Sequence, residues 1–311
     1  MNTIVDFPSP TTLDTYKQLD IEFDGELKTL FSWMKLTPRP CFNPAFVDEV
    51  ERSERLLESH QGWINDRGQP ERVDYVVFGS RTPGVFSLGG DLGLFLQSIM
   101  RQDRDTLAEY AHKCIENIYR RATGFGAQIQ TIALVQGKAL GGGFECALAA
   151  DIIVAERSAT FSLPEVLFNL FPGMGALSFL ARRIGIGKAE EIIASGKVYT
   201  AEEMRTIGVV DEIAEDGLGY ETVRSLIMRR RRRNNAHRAI QLAKREFQPV
   251  KLSELNAIVD IWVDAALQLE TRDLRMMARL VRAQDRMVSI TTDDEAIEAL
   301  FELPLQAVSN G

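Results

Sequence analysis

The chain has 311 residues, which is enough for one large domain or for one domain with an appendage. Hydrophobic residues make up 45% of it and charged residues 26%, the proportions of an ordinary globular protein. The formal net charge of −8 does not favour generic nucleic-acid binding and mainly promotes solubility.

Cysteine and histidine are both scarce. Three cysteines, Cys41, Cys114 and Cys146, are too few for a disulfide framework, so we expect buried structural thiols and a cytoplasmic location. None of the three histidines has a neighbour at metal-ligand spacing, so no metal site is expected. The N-terminus lacks the apolar core of a signal peptide, and no apolar run approaches the roughly 20 residues of a membrane span.

The first quarter of the chain predicts an arm, a strand pair, a helix and a buried strand. Residues 1–18 are polar and rich in Pro and Thr, and we interpret them as a loose arm. Residues 19–33 alternate as a strand pair does, and residues 42–60 follow a helical pattern. Residues 72–80 form a short β-branched and aromatic run that indicates a buried strand.

The middle of the chain alternates between helical and strand patterns. Apolar residues recur at helical spacing over residues 94–125. Three short apolar strands then follow over residues 131–137, 151–157 and 159–163, the first two separated by a helix. This alternation predicts an α/β architecture.

The last third of the chain reads as helical. Thr200 and Glu203 have the spacing of a capping box ahead of another helix and strand. After about residue 215 only helical patterns remain. We therefore predict an α/β core over residues 19–215 and a C-terminal helical region over residues 216–311.

Three consecutive glycines, Gly141–Gly143, stand at the start of a buried helical pattern, "ALGGGFECALAAD". Glycine inside a helix is unfavourable by about 1 kcal/mol per residue. The N–H groups of a first helical turn have no partner within the helix, and the helix dipole adds positive potential there. Because glycine lets a ligand atom approach these groups closely, the run is a candidate for half of an oxyanion-binding site.

A second glycine turn, "VFSLGGDL" over residues 85–92, follows a predicted strand and opens a helix. Two turns at the ends of neighbouring strands could direct two backbone N–H groups at one point, as an oxyanion hole requires. The alternative is that both are merely tight turns. The sequence has neither a GxGxxG nor a P-loop motif, so it indicates neither kind of nucleotide site.

Two glutamates stand in apolar surroundings. Glu145 falls in the first turn of the glycine-rich helix, and Glu165 follows Pro164 in a hydrophobic stretch. A 20-residue spacing allows both to face one cavity, where paired carboxylates tend to separate their pKa values into one acid and one base. The alternative is that each caps a helix or pairs with an arginine such as Arg182.

Together, "VFSLGGDL", "LVQGKALGGGFECALAADIIVAERSATFSLPEV" and "LFPGMGALSFLARRIG" resemble the crotonase (enoyl-CoA hydratase/isomerase) superfamily, over about residues 20 to 290. The resemblance implies a spiral of ββα units with a C-terminal helical trimerisation region, assembled as a homotrimer or hexamer. It also implies that Gly90 and Gly142 supply the oxyanion-hole N–H groups and that Glu145 and Glu165 are the catalytic pair.

The stretches "LPEVLFNLFPGMGA", "IWVDAALQL" and "RLVRAQDR" are similar to those of the diffusible signal factor (DSF) synthases of bacterial quorum sensing. That likeness implies dehydration of a 3-hydroxyacyl-acyl-carrier-protein, or of a CoA thioester, to a cis-2-enoyl thioester. Hydrolysis of the thioester then releases a cis-2-unsaturated fatty acid. No cofactor is implied, a sensor-kinase domain is a possible partner, and Met174, Trp262 and Leu280 are the expected acyl-pocket residues.

Several alternatives stay open at this point. An enoyl-CoA hydratase of fatty-acid oxidation would use the same two glutamates, and a non-enzymatic regulatory role would need neither. Trp262 has the spacing of core or subunit packing as well as of a pocket residue. The arginine run Arg229–Arg233 reads either as a solvated helix end or as a docking site for an acidic carrier protein or a CoA phosphate.

Overall fold

The computed structural model describes residues 5–6 and 16–289 of the chain. The arm expected over residues 1–18 lies outside the described residues except for Val5–Asp6 and residues 16–18. The helical region expected over residues 216–311 is described up to Ser289 and is helical there.

Strands and helices alternate through the first two thirds of the chain. The strands are β1 (Val5–Asp6), β2 (Leu19–Asp24), β3 (Thr29–Met34), β4 (Trp63–Asp66), β5 (Gln69–Arg72), β6 (Tyr75–Ser80), β7 (Val85–Ser87), β8 (Gln130–Val135), β9 (Lys138–Leu140), β10 (Ile152–Glu156), β11 (Thr160–Ser162), β12 (Val198–Thr200) and β13 (Glu212–Ala214). The helices are α1 (Pro44–Ser59), α2 (Leu92–Met100), α3 (Arg104–Ala122), α4 (Gly142–Leu148), α5 (Ala176–Ile184), α6 (Ile186–Ser195), α7 (Ala201–Ile207), α8 (Gly219–Arg231), α9 (Asn234–Phe247), α10 (Leu252–Ala266) and α11 (Thr271–Ser289), with a 3₁₀ helix at Pro164–Phe168.

Two sheets carry the core. The larger has the order β13-β10-β8-β6-β3-β2, and all its pairs are parallel except β2 with β3. Its central strands β6, β8 and β10 are buried along their whole length, as their continuous apolar runs require. The smaller sheet has the order β12-β11-β9-β7, and a third sheet joins β1, β4 and β5.

The chain passes from one sheet to the other three times in the same way. Strands β6, β8 and β10 of the larger sheet are followed by β7, β9 and β11 of the smaller one, and each short strand leads into a helix. This repetition is the spiral of ββα units that the family resemblance implies. Because β7, β9 and β11 are parallel neighbours, their carboxyl ends meet at one edge of the smaller sheet.

The C-terminal helices fold back over that edge. Helix α10 packs on α3, and α11 packs on α2 and on the 3₁₀ helix. Helix α9 differs, because none of its residues is buried and Ile240, Leu242 and Phe247 are exposed. Among the described helices, none combines the length and the apolar character needed to cross a lipid bilayer.

One predicted element differs from the prediction, and one predicted feature is confirmed. The helical pattern over residues 94–125 is two helices, because the Asp103 side chain accepts the Thr106 N–H and starts α3 afresh. The capping box is confirmed: Thr200 Oγ1 accepts the Glu203 N–H at 3.2 Å, and Glu203 accepts the Thr200 N–H at 2.8 Å.

Candidate active site

The two predicted glycine turns lie against each other. They follow β7 and β9, which are paired in parallel. A Cβ added to Gly89 would lie 2.7 Å from the Leu140 oxygen and 2.9 Å from the Gly142 nitrogen. A Cβ added to Gly142 would lie 3.3 Å from the Gly90 nitrogen. The turns are therefore more than isolated tight turns, because only glycine lets them approach so closely.

Gly90 and Gly142 line one pocket. Gly142 is the first residue of α4, so its N–H has no acceptor within the helix. The Gly89 carbonyl accepts the Phe42 N–H at 2.8 Å, and the Gly90 N–H of the same trans peptide points the opposite way. The arrangement can bind a carbonyl oxygen that gains negative charge.

Glu145 is held in the first turn of α4 with 1% of its surface exposed. Its Oε1 accepts the N–H of Met174 at 2.7 Å and of Ala176 at 3.0 Å. Burial raises the pKa of Glu145 to about 7, although the two N–H groups favour the carboxylate. A carboxyl group with this pKa can exchange a proton near neutral pH.

Glu165 lies in the 3₁₀ helix that follows β11. A Cβ on Gly141 would lie 2.5 Å from Glu165 Oε1, so the carboxyl group covers the glycine turn. Its Oε2 is buried and has no hydrogen-bond partner among the described residues. Burial, and then the nearby Glu145 carboxylate, raise the pKa of Glu165 well above its ordinary value. The pair therefore favours holding one proton between them.

The arginine alternative for these carboxylates is wrong. Arg182 donates to both carboxyl oxygens of Glu254, at 2.9 and 2.7 Å, and to the Pro249 carbonyl. Glu145 instead accepts two backbone N–H groups, and one of them belongs to Ala176, the first residue of α5, as the helix-cap alternative expects. No ion pair to Glu145 or Glu165 is found among the side chains described over residues 16–282. Both carboxyl groups are thus left available for chemistry.

The pocket has a volume of about 80 Å³ and a mainly apolar lining. It brings together all seven residues expected from the sequence: Gly90, Gly142, Glu145, Glu165, Met174, Trp262 and Leu280. Trp262 packs so tightly on Gly173 that an added Cβ there would lie 2.3 Å from its Cγ. Trp262 is also 4% exposed, so it serves both core packing and the pocket wall.

Some lining residues were not singled out from the sequence. They are Leu88, Leu92, Phe95, Leu140, Pro164, Leu167, Phe168, Leu170 and Gly173. Four of the apolar ones lie in "LPEVLFNLFPG", where their density around Glu165 was the available signal. Phe95 carried no signal of its own, because its role depends on its contact with Gly90.

The arginine run lies away from the pocket. Arg229 pairs with both oxygens of Glu212 at the end of α8, and the Arg230 Nε donates to Gln130 at 3.4 Å. Gln130 begins β8, whereas the Gly141–Gly142 turn follows the short strand after its other end. The observed contacts are those of a basic helix end facing water, and docking of a carrier stays a prediction.

The three cysteines lie in the packed interior of the protein. Cys41, Cys114 and Cys146 are all buried. Cys146, next to Glu145 on α4, accepts a hydrogen bond at 2.7 Å from Arg121, which also donates to Glu54 at 2.5 Å. Over the described residues, no group of three or more His, Cys, Asp or Glu side chains could hold a metal ion.

The Glu145 pKa predicts how stability changes with pH. Its folded value of about 7 lies above the ordinary value of 4.5, so the folded protein binds this proton more tightly than the unfolded chain does. Its contribution is present below pH 4.5 and is lost as pH rises to about 7, by up to about 1.4 kcal/mol per pH unit. Between about pH 5 and pH 8, thermal melts should show a larger fall in Tm for the wild type than for Glu145→Gln. Parallel curves of Tm against pH for the two proteins would contradict the raised pKa of Glu145.

Sequence comparison finds a matching protein family and related proteins. The family model described as enoyl-CoA hydratase/isomerase matches residues 63–261. The chain is 27% identical over 255 residues to the probable mitochondrial enoyl-CoA hydratase 2 of Arabidopsis thaliana, which covers 80% of this chain and 76% of that protein. It is 50% identical over 86 residues to the mevalonyl-coenzyme A hydratase SIDH of Beauveria bassiana, 28% of this chain and 31% of that protein.

A solved structure agrees with these matches. The crystal structure of an enoyl-CoA hydratase from Bacillus halodurans superposes with a TM-score of 0.69 at 21% identity. The superposition covers 85% of this chain and all of that one, so the likeness extends over the spiral core. The matched family model spans more than half of the sequence, and the chain belongs to the enoyl-CoA hydratase/isomerase family, the crotonase superfamily.

Proposed function

We propose that this protein dehydrates a 3-hydroxyacyl thioester to a cis-2-enoyl thioester and then hydrolyses the thioester, as DSF synthases do. The observation that carries the proposal is the pair of buried carboxyl groups, Glu145 and Glu165, beside the two glycine N–H groups in an apolar pocket. Such a pair can move protons on adjacent carbons while the N–H groups stabilise the charge on the thioester oxygen.

In the first step the thioester oxygen lies between the N–H groups of Gly90 and Gly142. One carboxylate removes the α-proton, and the electrons of that C–H bond enter the enolate. The protonated partner then gives its proton to the β-hydroxyl, which leaves as water as the α,β double bond forms. The raised pKa values of Glu145 and Glu165 support one protonated and one ionised group near neutral pH.

In the second step water attacks the thioester carbonyl. The ionised carboxyl group accepts a proton from that water, and the same N–H groups hold the oxyanion of the tetrahedral intermediate. Collapse of the intermediate breaks the C–S bond, and the proton is passed to the departing thiolate of the carrier. The products are a free cis-2-unsaturated fatty acid and the carrier thiol.

The second candidate is an enoyl-CoA hydratase acting in fatty-acid oxidation. It is favoured by the names of the relatives, which include enoyl-CoA and mevalonyl-coenzyme A hydratases. This function would use the first step alone, in either direction, on a CoA thioester. The two candidates differ in whether the C–S bond is broken.

One assay separates them. Purified protein is given crotonyl-CoA or a long-chain 3-hydroxyacyl thioester on acyl carrier protein or on CoA, and the products are identified by mass spectrometry. A free cis-2-enoic acid from the long substrate supports the proposal. Hydration of crotonyl-CoA with every thioester left intact favours the hydratase, and no turnover of any substrate contradicts both.

The setting of this activity is proposed with it. We infer a cytoplasmic enzyme that assembles as a homotrimer or hexamer, with the exposed apolar residues Ile240, Leu242 and Phe247 of α9 in the subunit contact. Acyl carrier protein or CoA would deliver the substrate, with no cofactor, and a sensor-kinase domain would be a regulatory partner. Size-exclusion chromatography with light scattering tests the assembly.

Trp262 is expected to limit the acyl chain. Its ring packs edge-on to the Phe95 ring, with the ring centroids 5.1 Å apart, and closes the pocket against Gly173. Trp262→Ala removes a large buried ring and should shift the preferred substrate toward longer chains, with a loss of stability of about 3–5 kcal/mol. Turnover is measured over a series of chain lengths, with Trp262→Phe as the smaller change. An unaltered chain-length profile in both variants would show that Trp262 contributes to packing and does not limit the acyl chain.

A further inference from the structure

The direction of the Gly90 donor depends on a separate segment of the chain. The Phe42 N–H donates to the Gly89 carbonyl at 2.8 Å, and Phe42 and Gly90 form an isolated parallel bridge. The N–H and C=O of a trans peptide point in opposite directions. This bond therefore turns the Gly90 N–H toward the pocket, and a shift of Phe42 would turn it away.

Tyr110 holds Phe42 in place. Its hydroxyl donates to the Phe42 carbonyl at 2.5 Å and accepts the Asp91 N–H at 3.4 Å. The hydroxyl thus links the segment of Phe42 to Asp91, the residue that follows Gly90. Burial, above all, raises the pKa of Tyr110 well above 10, so the hydroxyl stays protonated and remains a donor throughout the neutral range.

The ring of Tyr110 is fixed as firmly as its hydroxyl. It lies in the middle of α3, is 5% exposed, and meets Phe95 edge-on with ring centroids 5.4 Å apart. Phe95 in turn contacts Gly90, where an added Cβ would lie 2.6 Å from its Cζ. Tyr110 itself does not line the pocket, so it acts through Phe42 and the Gly89–Gly90 peptide.

We propose that Tyr110 is a positioning residue for the Gly90 oxyanion donor, an inference that rests on the proposed function. Without the hydroxyl, the Phe42 carbonyl and the Asp91 N–H keep only the backbone bridge between their segments, and the Gly89–Gly90 peptide gains freedom to rotate. Hydrogen bonds weaken steeply as their angle departs from linear. Complete removal of an oxyanion donor lowers kcat by about 10²- to 10³-fold, so loss of alignment should lower it by about tenfold.

The test compares two Tyr→Phe variants. Tyr110→Phe removes one oxygen and keeps the ring packing, so the variant is expected to fold. Tyr199→Phe is the matched control, because Tyr199 is also buried and its hydroxyl lies 3.3 Å from Ser195 Oγ, outside the pocket lining. We expect about tenfold lower kcat with a KM within about twofold for Tyr110→Phe, and unchanged kinetics for Tyr199→Phe. Thermal melts confirm that both are folded.

A second readout reports the donor without any turnover. Acetoacetyl-CoA, a β-keto thioester, binds as an enolate where an oxyanion site is well aligned, and the enolate is measured by ultraviolet absorbance. The bound enolate fraction should fall in Tyr110→Phe and be kept in Tyr199→Phe. Wild-type kcat and enolate fraction in Tyr110→Phe would overturn the positioning role while leaving the proposed function intact. A wild type with neither turnover nor enolate would overturn both.

Discussion

Glu145→Gln is expected to lower kcat for dehydration by about 10²- to 10⁴-fold, the usual contribution of a positioned acid or base. The amide of glutamine cannot exchange a proton at neutral pH. Its oxygen can still accept the N–H groups of Met174 and Ala176 that hold Glu145 Oε1. The substitution therefore removes the proton transfer and keeps the geometry. The measurement is steady-state turnover of a 3-hydroxyacyl thioester.

Glu156→Gln is the matched control for this prediction. Glu156 is a buried glutamate at the end of β10 whose Oε1 accepts the Gly219 N–H at 3.2 Å, and it does not line the pocket. We expect near-native turnover from it. Glu165→Gln should lose dehydration as Glu145→Gln does, because the dehydration step needs one carboxyl group as base and the other as acid. Near-native rates in both Glu145→Gln and Glu165→Gln would contradict the two-carboxylate mechanism.

The two active-site variants also separate the steps of the reaction. If one carboxyl group serves as base for both α-proton removal and water activation, its loss stops dehydration and thioester hydrolysis together. The other variant would then hydrolyse a synthetic cis-2-enoyl thioester faster than it dehydrates the hydroxyacyl substrate. Supplying each thioester separately to Glu145→Gln and Glu165→Gln assigns the base without further structural data.

The residue types of the candidate site could be predicted from the sequence more completely than their arrangement in space. Three glycines at a helix start and a lone glutamate in an apolar stretch are both unfavourable unless they serve a site, which made Gly142, Glu145 and Glu165 conspicuous. Strands such as Tyr75–Ser80 and Gln130–Val135 were recognisable because strands buried on both faces read as continuous apolar runs. These features follow from local composition.

What local composition does not contain is the pairing between distant segments, which for the Gly90 and Gly142 turns only the family resemblance implied. Strands β7 and β9 have three residues each, too few for a periodic pattern, yet their register brings the Gly90 and Gly142 turns together. The backbone N–H groups that hold Glu145 belong to Met174, before α5, and to Ala176, the first residue of α5, and a backbone donor leaves no mark in the sequence. Tyr110 reads as one more apolar position of α3 until its hydroxyl is placed beside Phe42.

The fold explains why one pocket can hold a carbonyl and two acids. Three parallel strands, β7, β9 and β11, end at the same edge, and the chain after them supplies Gly90, then Gly142 and Glu145, then Glu165. Helices α10 and α11 close the pocket with Trp262 and Leu280, so the carboxyl groups lie in a mainly apolar lining. The low polarity that raises their pKa values also strengthens the two N–H donors.

Gly142→Pro is expected to lower kcat/KM by at least about 10²- to 10³-fold, because it deletes one oxyanion donor and places the ring Cδ where the thioester oxygen would bind. Proline is well tolerated at the first position of a helix, where its missing N–H has no helical partner, and Gly142 occupies that position in α4. The change thus removes the donor while the helix remains possible. Turnover is measured alongside circular dichroism, which checks that the fold is kept.

Gly142→Ala separates loss of the donor from crowding. Alanine keeps the N–H but adds a Cβ 3.3 Å from the Gly90 nitrogen and 3.4 Å from Met174 Sδ. The flexible Met174 side chain can give way, whereas the Gly90 backbone is held by Phe42. We therefore expect a loss at least about tenfold smaller than that of Gly142→Pro. Equal losses in the two variants would mean that the space at Gly142, and not its N–H, is what the reaction requires, and the oxyanion assignment would fail.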